Sequence, residues 1–164
     1  TVDTALQTLR ETDFVPFKAL SNLPMAMTAH VIYSVIDKDR MATLSPAVIS
    51  LIREELQFDG MLMSDALDMK SLSYLPLAER ARQTLAAGCD VALHCNSSFA
   101  EKKQLAEGVC ALEGKALARA TKAMAAVRTP KPFDYIAARE ELETLLSGLP
   151  DAHAIGHIHA GLAT

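Results

Sequence analysis

The stretch Phe58-Asp59-Gly60-Met61-Leu62-Met63-Ser64-Asp65-Ala66-Leu67-Asp68-Met69 decides the fold. Phe58-Asp59-Gly60 reads as a turn and Met61 to Met63 as a short apolar strand, so Asp65 falls just where the strand ends. In a parallel α/β protein the carboxyl ends of the strands face the functional mouth. A carboxylate there is a candidate nucleophile or base.

The same pattern recurs on both sides. Met25 to Ala29 is an apolar run that ends at His30, and Val91-Ala92-Leu93 ends at His94-Cys95-Asn96. The ends at His30, Asp65 and His94 lie roughly 30 to 35 residues apart, the length of a βα unit. Met25–Ala29, Met61–Met63 and Val91–Leu93 are therefore expected as adjacent parallel strands, with His30, Asp65 and His94 on one face. The strands are apolar throughout rather than alternating, which fits a sheet covered on both faces.

Helices fill the intervals. Ser45 before Pro46 is an N-cap followed by a first-turn proline, and Ile49, Ile52 and Leu56 continue one apolar face. Residues 77–87 read as a helix closed by Gly88 in the left-handed region. Residues 3–20 carry Leu6, Leu9, Phe14, Phe17 and Leu20 at helical spacing, and Pro16 splits them into two short pieces or a kink. Residues 31–44 read as a loop. Residues 100–127 are Ala-rich and suit two helices parted near Gly114, stopped by Pro130 and Pro132. A last helix is expected over 134–147, and 148–164 lack periodicity.

Bulk properties bound the function. The chain has 164 residues, 50% hydrophobic and 22% charged, with a formal net charge of −4. It suits one domain or a piece of a larger one. No Lys/Arg cluster is interleaved with aromatics, so no nucleic-acid partner is indicated. No apolar run approaches the roughly 18 residues of a membrane span, and no basic-then-apolar leader opens the chain. The odd cysteine count, Cys89, Cys95 and Cys110, argues against a disulfide framework and for a cytoplasmic location. The start at Thr1, with a polar amphipathic stretch rather than a strand, suits a beginning inside a domain.

Each strand-end residue has a plain structural reading. His30 and His94, taken alone, read as hydrogen-bonded structural residues, and Asp65 as the N-cap of a following helix. Three such ends in register favour a site. Asp68, one helical turn beyond Asp65, reads as a solvated helix-start charge. Cys95 reads as a small buried thiol, and His153, His157 and His159 as part of a surface tail rather than a metal site. Leu105, Val109, Leu112 and Leu117 read as core-facing.

The run Phe58–Lys70 resembles the nucleophile segment of family 3 glycoside hydrolases, in particular bacterial β-N-acetylglucosaminidases. Met27-Thr28-Ala29-His30-Val31, Ala42-Thr43-Leu44-Ser45-Pro46, Arg53-Glu54-Glu55-Leu56 and Ala86-Ala87-Gly88-Cys89-Asp90 resemble neighbouring segments of the same family. The resemblance covers roughly residues 1–127. It implies an α/β fold: the C-terminal portion of a (β/α)8 TIM barrel with parallel strands, extra C-terminal helices, and a helix and tail over 128–164. A whole barrel takes about 250 residues.

The resemblance also implies a retaining hexosaminidase acting on peptidoglycan-derived glucosaminyl saccharides, with Asp65 as nucleophile. Ala66 stands where many members carry a second Asp. His30 becomes a site-lining, substrate-binding candidate. Ser64, His30 and backbone amides at the start of the next helix are the expected donors to Asp65. The family's acid/base Asp–His pair, its Lys-His-x-Pro-Gly segment and its substrate-clamping Arg and Lys-His belong upstream and have no match here. The N-terminal part of the barrel becomes the expected partner. No cofactor or metal is implied. Two other readings stay open: a non-catalytic fragment or degenerate paralogue that binds sugar or a protein, and a different barrel enzyme using Asp65 as a base.

Overall fold

The computed structural model describes residues 1–147, divided into one unit over Thr1–Val127 and a second that begins at Arg128. The histidine-bearing stretch from residue 148 onward lies outside the described residues. In the first unit, α1 (Leu6–Glu11) and α2 (Phe14–Ala19) are the two expected short helices. Pro16 occupies the first turn of α2, where its missing N–H has no helical partner to lose, so it starts a helix rather than kinking one.

Strand β1 (Met25–Met27) pairs in parallel with β2 (Met61–Met63), in the register Met25 to Met61, Ala26 to Leu62 and Met27 to Met63. Between them, Ser45 caps α3 (Pro46–Ser50) by accepting the Val48 N–H. The helix then widens into a π turn over Leu51–Glu55, where the Leu56 N–H reaches back to the Leu51 carbonyl at 3.1 Å. After β2 come α4 (Leu77–Ala87), which ends at Gly88 with φ 111°, and α5 (Phe99–Ala106), opened by a Ser98/Glu101 capping box. The first unit closes with α6 (Gly114–Ala125). The second unit contains α7 (Tyr135–Leu146), capped by Asp134 on the Ala137 N–H.

Two core clusters grip β2 and the segment after it. Leu62 is buried with Ile49, Phe58, Ala87 and Cys89. Leu67 and Leu72, both fully buried, join Leu44, Ala81 and Leu105. Each such leucine contributes about 1.5–3 kcal/mol of burial. The segment beyond Asp65 is thus held by two anchors, the second in a single 3-10 turn over Lys70–Leu72.

Three expectations need correction. Val91–Leu93 is no full strand: only Val91 bridges in parallel, to Met63. The Leu93 N–H donates to the Ser64 hydroxyl at 2.9 Å instead of a backbone carbonyl, which ends the ladder. Nor is the sheet covered on both faces, since Met25 and Met27 of β1 are 44% and 53% exposed. Of the four residues read as core, Leu105 is buried, whereas Val109, Leu112 and Leu117 are exposed. Val109 and Leu112 lie past the end of α5 at Ala106, and Leu117 is on an exposed position of α6.

Candidate active site

Asp65 leaves β2 at its carboxyl end and is half-buried. One of its carboxylate oxygens accepts the Ala66 N–H at 2.7 Å. The amides of a following helix start, which the sequence suggested, are not there, because residues 65–69 form no helix; the donor is the next residue's own amide. The other two suggested donors are engaged elsewhere. The fully buried Ser64 hydroxyl accepts from Leu93. His30 lies against the same turn and holds the Ala66 carbonyl through Nε2 at 3.0 Å. A carbonyl only accepts, so this nitrogen carries the proton. Nδ1 meets the Thr43 hydroxyl at 3.0 Å, and Thr43 bonds in turn to Thr28 at 2.8 Å. Both ring nitrogens are committed to the protein, so the ring steadies the Asp65–Ala66 turn.

Asp68 is no solvated helix-start charge. Residues 65–69 form no helix. One Asp68 oxygen accepts the Cys95 N–H and the other the Asn96 N–H, each at 3.1 Å. The carboxylate stitches the loop after β2 to the end of the next parallel segment. The Cys95 amide is the main reason its carboxyl is held below the ordinary carboxylate range, with the Asn96 amide and the His94 ring adding to it. Cys95, read as buried, is exposed, because the end of its segment rests on Asp68 through backbone and leaves the thiol outside. His94 lies under this stitch with its side chain 5% exposed, Nδ1 3.7 Å from Asp68 and Nε2 on the Ser97 hydroxyl.

Sequence reasoning missed three arginines. Arg80 is buried on α4 and donates to the carbonyls of Leu67 at 2.7 Å and Leu75 at 2.8 Å, holding the segment beyond Asp65. A charged residue at an inward position of an otherwise apolar face was the available signal. At the opposite, amino ends of the strands, Arg53 pairs with Asp90 at 2.7 Å and donates to the carbonyls of Phe58 and Gly60. Arg119 joins Asp90 at 3.2 Å to Asp59 at 2.7 Å. No local pattern signals pairs this distant in sequence. An apolar cavity of about 280 Å³ lies along β1, lined by Phe14, Phe17, Met25, Thr28 and Tyr33 among others, and does not include Asp65.

The arrangement offers a carboxylate at the carboxyl end of a parallel strand, with its backbone fixed from behind by His30, Arg80 and two buried leucines. Such a group can attack an electrophilic carbon or take a proton.

Known proteins resemble this chain in sequence and in fold. A beta-hexosaminidase of Pseudomonas aeruginosa strain LESB58 is 36% identical over 104 residues, 62% of this chain and 31% of that protein. One from Alkalilimnicola ehrlichii is 44% identical over 96 residues, 56% of this chain and 27% of its own. The chain thus spans about a third of the relatives' length. The solved family 3 β-N-acetylglucosaminidase of Paenibacillus sp. FPU-7 superposes with a TM-score of 0.65 at 26% identity, over 82% of this chain and 29% of that one. Native NagZ of Neisseria gonorrhoeae gives 0.63 over 99% and 43%, at 24% identity, and speaks for the fold alone. The sequence pattern of the glycosyl hydrolase family 3 N-terminal domain matches residues 1–129, and the chain belongs to that family.

Proposed function

We propose that the chain is the C-terminal portion of a (β/α)8 barrel over residues 1–127, and that the completed barrel is a retaining β-N-acetylhexosaminidase. It would remove terminal β-linked N-acetylglucosamine from peptidoglycan-derived saccharides in the cytoplasm, as part of cell-wall recycling. The carrying observation is Asp65, half-buried at the carboxyl end of β2 with its backbone anchored and its carboxylate oriented by the Ala66 amide. Relatives named beta-hexosaminidase support the substrate class, and three free cysteines suit the reducing compartment.

In this reading Asp65 attacks the anomeric carbon to give a glycosyl ester, and the leaving oxygen takes its proton from an acid supplied by the upstream part of the barrel. Water, deprotonated by that same group, then frees the sugar and regenerates Asp65. His30 serves the site by holding the Asp65–Ala66 turn. The exposed methionines of β1 and the apolar cavity beside it suit docking of the preceding strands. The chain alone is then inactive and poorly stable, and an upstream barrel segment restores both.

The test is to supply that segment, react the complex with a 5-fluoro N-acetylglucosaminyl fluoride, and map the adduct by mass spectrometry. A glycosyl ester on Asp65 is expected. An adduct on another residue, or steady turnover with no trapped ester, overturns the assignment. Full hexosaminidase activity and a cooperative melt from the 164-residue chain alone would overturn the fragment reading.

A further inference from the structure

Among the described residues, His94 and Thr84 each leave a buried side-chain polar atom without a hydrogen-bond partner. The His94 side chain is 5% exposed, and the atom without a partner is its Nδ1. Its Nε2 meets the Ser97 hydroxyl at 2.5 Å. An Asp68 oxygen lies 3.7 Å from Nδ1.

Charge decides the tautomer. An Nδ1 lone pair facing a carboxylate would be repelled, whereas an Nδ1–H is attracted. Asp68 cannot turn away, because the Cys95 and Asn96 amides hold both of its oxygens. The proton therefore belongs on Nδ1. That leaves Nε2 as an acceptor and the Ser97 O–H as its donor. The order carboxylate, imidazole, hydroxyl is that of an activated serine, with the carboxylate contact long, as is usual before a substrate is bound.

Ser97 directly precedes the capped start of α5. The capping box occupies Ser98 and Glu101, and Glu101 is the other charged group facing His94. The Phe99 and Ala100 amides occupy first-turn positions that have no partner within a helix. They are suitable donors to an oxyanion beside Ser97.

We propose that Asp68, His94 and Ser97 form an acyl-transfer site for a short O-acyl ester, with Ser97 as nucleophile. The Ser97 oxygen bonds to the acyl carbon as its proton passes to His94 Nε2. The ester C–O bond breaks, and the leaving alkoxide takes that proton. Water, deprotonated by Nε2, adds to the acyl-serine; the acid departs and Ser97 recovers its proton. This site is separate from the glycosidase reading, and a glycosyl ester on Asp65 neither requires nor excludes it.

The 164-residue chain, in complex with the upstream barrel segment, is treated with a small alkyl fluorophosphonate and digested with trypsin, and the peptide spanning residues 83–102 is fragmented. One adduct on Ser97 is expected, absent in Ser97→Ala and formed about a hundredfold more slowly in His94→Gln. The ¹⁵N spectrum of the unmodified protein, which needs no variant to fold, should show His94 protonated on Nδ1 with Nε2 free. No adduct, an adduct on Ser98, an equal rate in His94→Gln, or the opposite tautomer overturns the proposal.

Discussion

The two ends of the small parallel sheet are built from the same residue types and treat them in opposite ways. At the amino ends, Asp90 is closed in by two arginines and the Leu62 N–H, and Arg53 Nη1 donates to the carbonyls of Phe58 and Gly60. At the carboxyl ends, Asp65 has one short bond to its own neighbouring amide and stays half-open. A charge that is fully paired and dry fixes a chain. A charge that is anchored from behind and open in front remains able to react. The amino end is a stability device and the carboxyl end has the form of a site. Substitutions at the two ends should therefore separate into losses of folding and losses of function.

The largest expected effect is at the open end. In a barrel completed as proposed, Asp65→Asn should lower kcat by several orders of magnitude, about 4 kcal/mol or more of barrier. The amide is nearly isosteric and the Ala66 bond has an acceptor left, so the melting temperature should barely move. A parallel loss of stability, read by thermal unfolding, would break the contrast between the two ends.

The mirror case is Asp90→Asn. The Asp90 side chain is 4% exposed and bears on Arg53, itself 15% exposed. Removing the charge leaves a largely buried guanidinium without its carboxylate and should cost about 3–5 kcal/mol in urea unfolding. If stability changes by less than about 1 kcal/mol, the amino-end network is not what holds the strands. Gly60→Ala attacks the same end without touching charge. Its Cβ would stand 2.6 Å from the Leu23 carbonyl and 2.8 Å from that of Pro24. Backbone cannot yield there as a flexible side chain could, so about 1–3 kcal/mol is expected from the same measurement. A neutral result would show that β1 shifts freely along β2.

Much of this division was legible from local pattern. The parallel pairing of β1 and β2, the cap at Ser45, the stop at Gly88 and the break near Gly114 all follow from neighbours in sequence. Asp65 was found because an apolar triplet must end somewhere and a carboxylate ends it. The remainder depends on partners distant in the chain. Nothing near Asp90 announces Arg53 or Arg119, and nothing near Asp68 announces the Cys95 and Asn96 amides. The third strand failed for a similar reason: Val91-Ala92-Leu93 has strand composition, but the Ser64 side chain took the place of a backbone acceptor. His30 was noticed as a strand-end residue, and only the fold reveals that both of its nitrogens are spent on Thr43 and Ala66.

The smallest expected effect tests whether Asp68 belongs to the fixed or the open class, since it lies at the carboxyl end yet has both oxygens bonded. In Asp68→Asn one carboxamide oxygen can still accept one amide, while the NH₂ group faces the other as a second donor. A loss of about 1 kcal/mol at neutral pH follows from one of these bonds becoming unmade. The amides of Cys95 and Asn96 stabilise the ionised form, so the folded-state pKa lies below the unfolded value of about 3.9. A depressed carboxyl contributes stability that is fully present above the unfolded pKa and is lost as pH falls through the folded one. The gap between wild type and Asp68→Asn should therefore be constant from about pH 7 down to about 5 and close as pH drops below about 4. Urea titrations of both proteins across that range provide the check. A gap that persists undiminished at about pH 2 would mean that the amides do not read the charge of Asp68, and its stitch would then be a matter of shape alone.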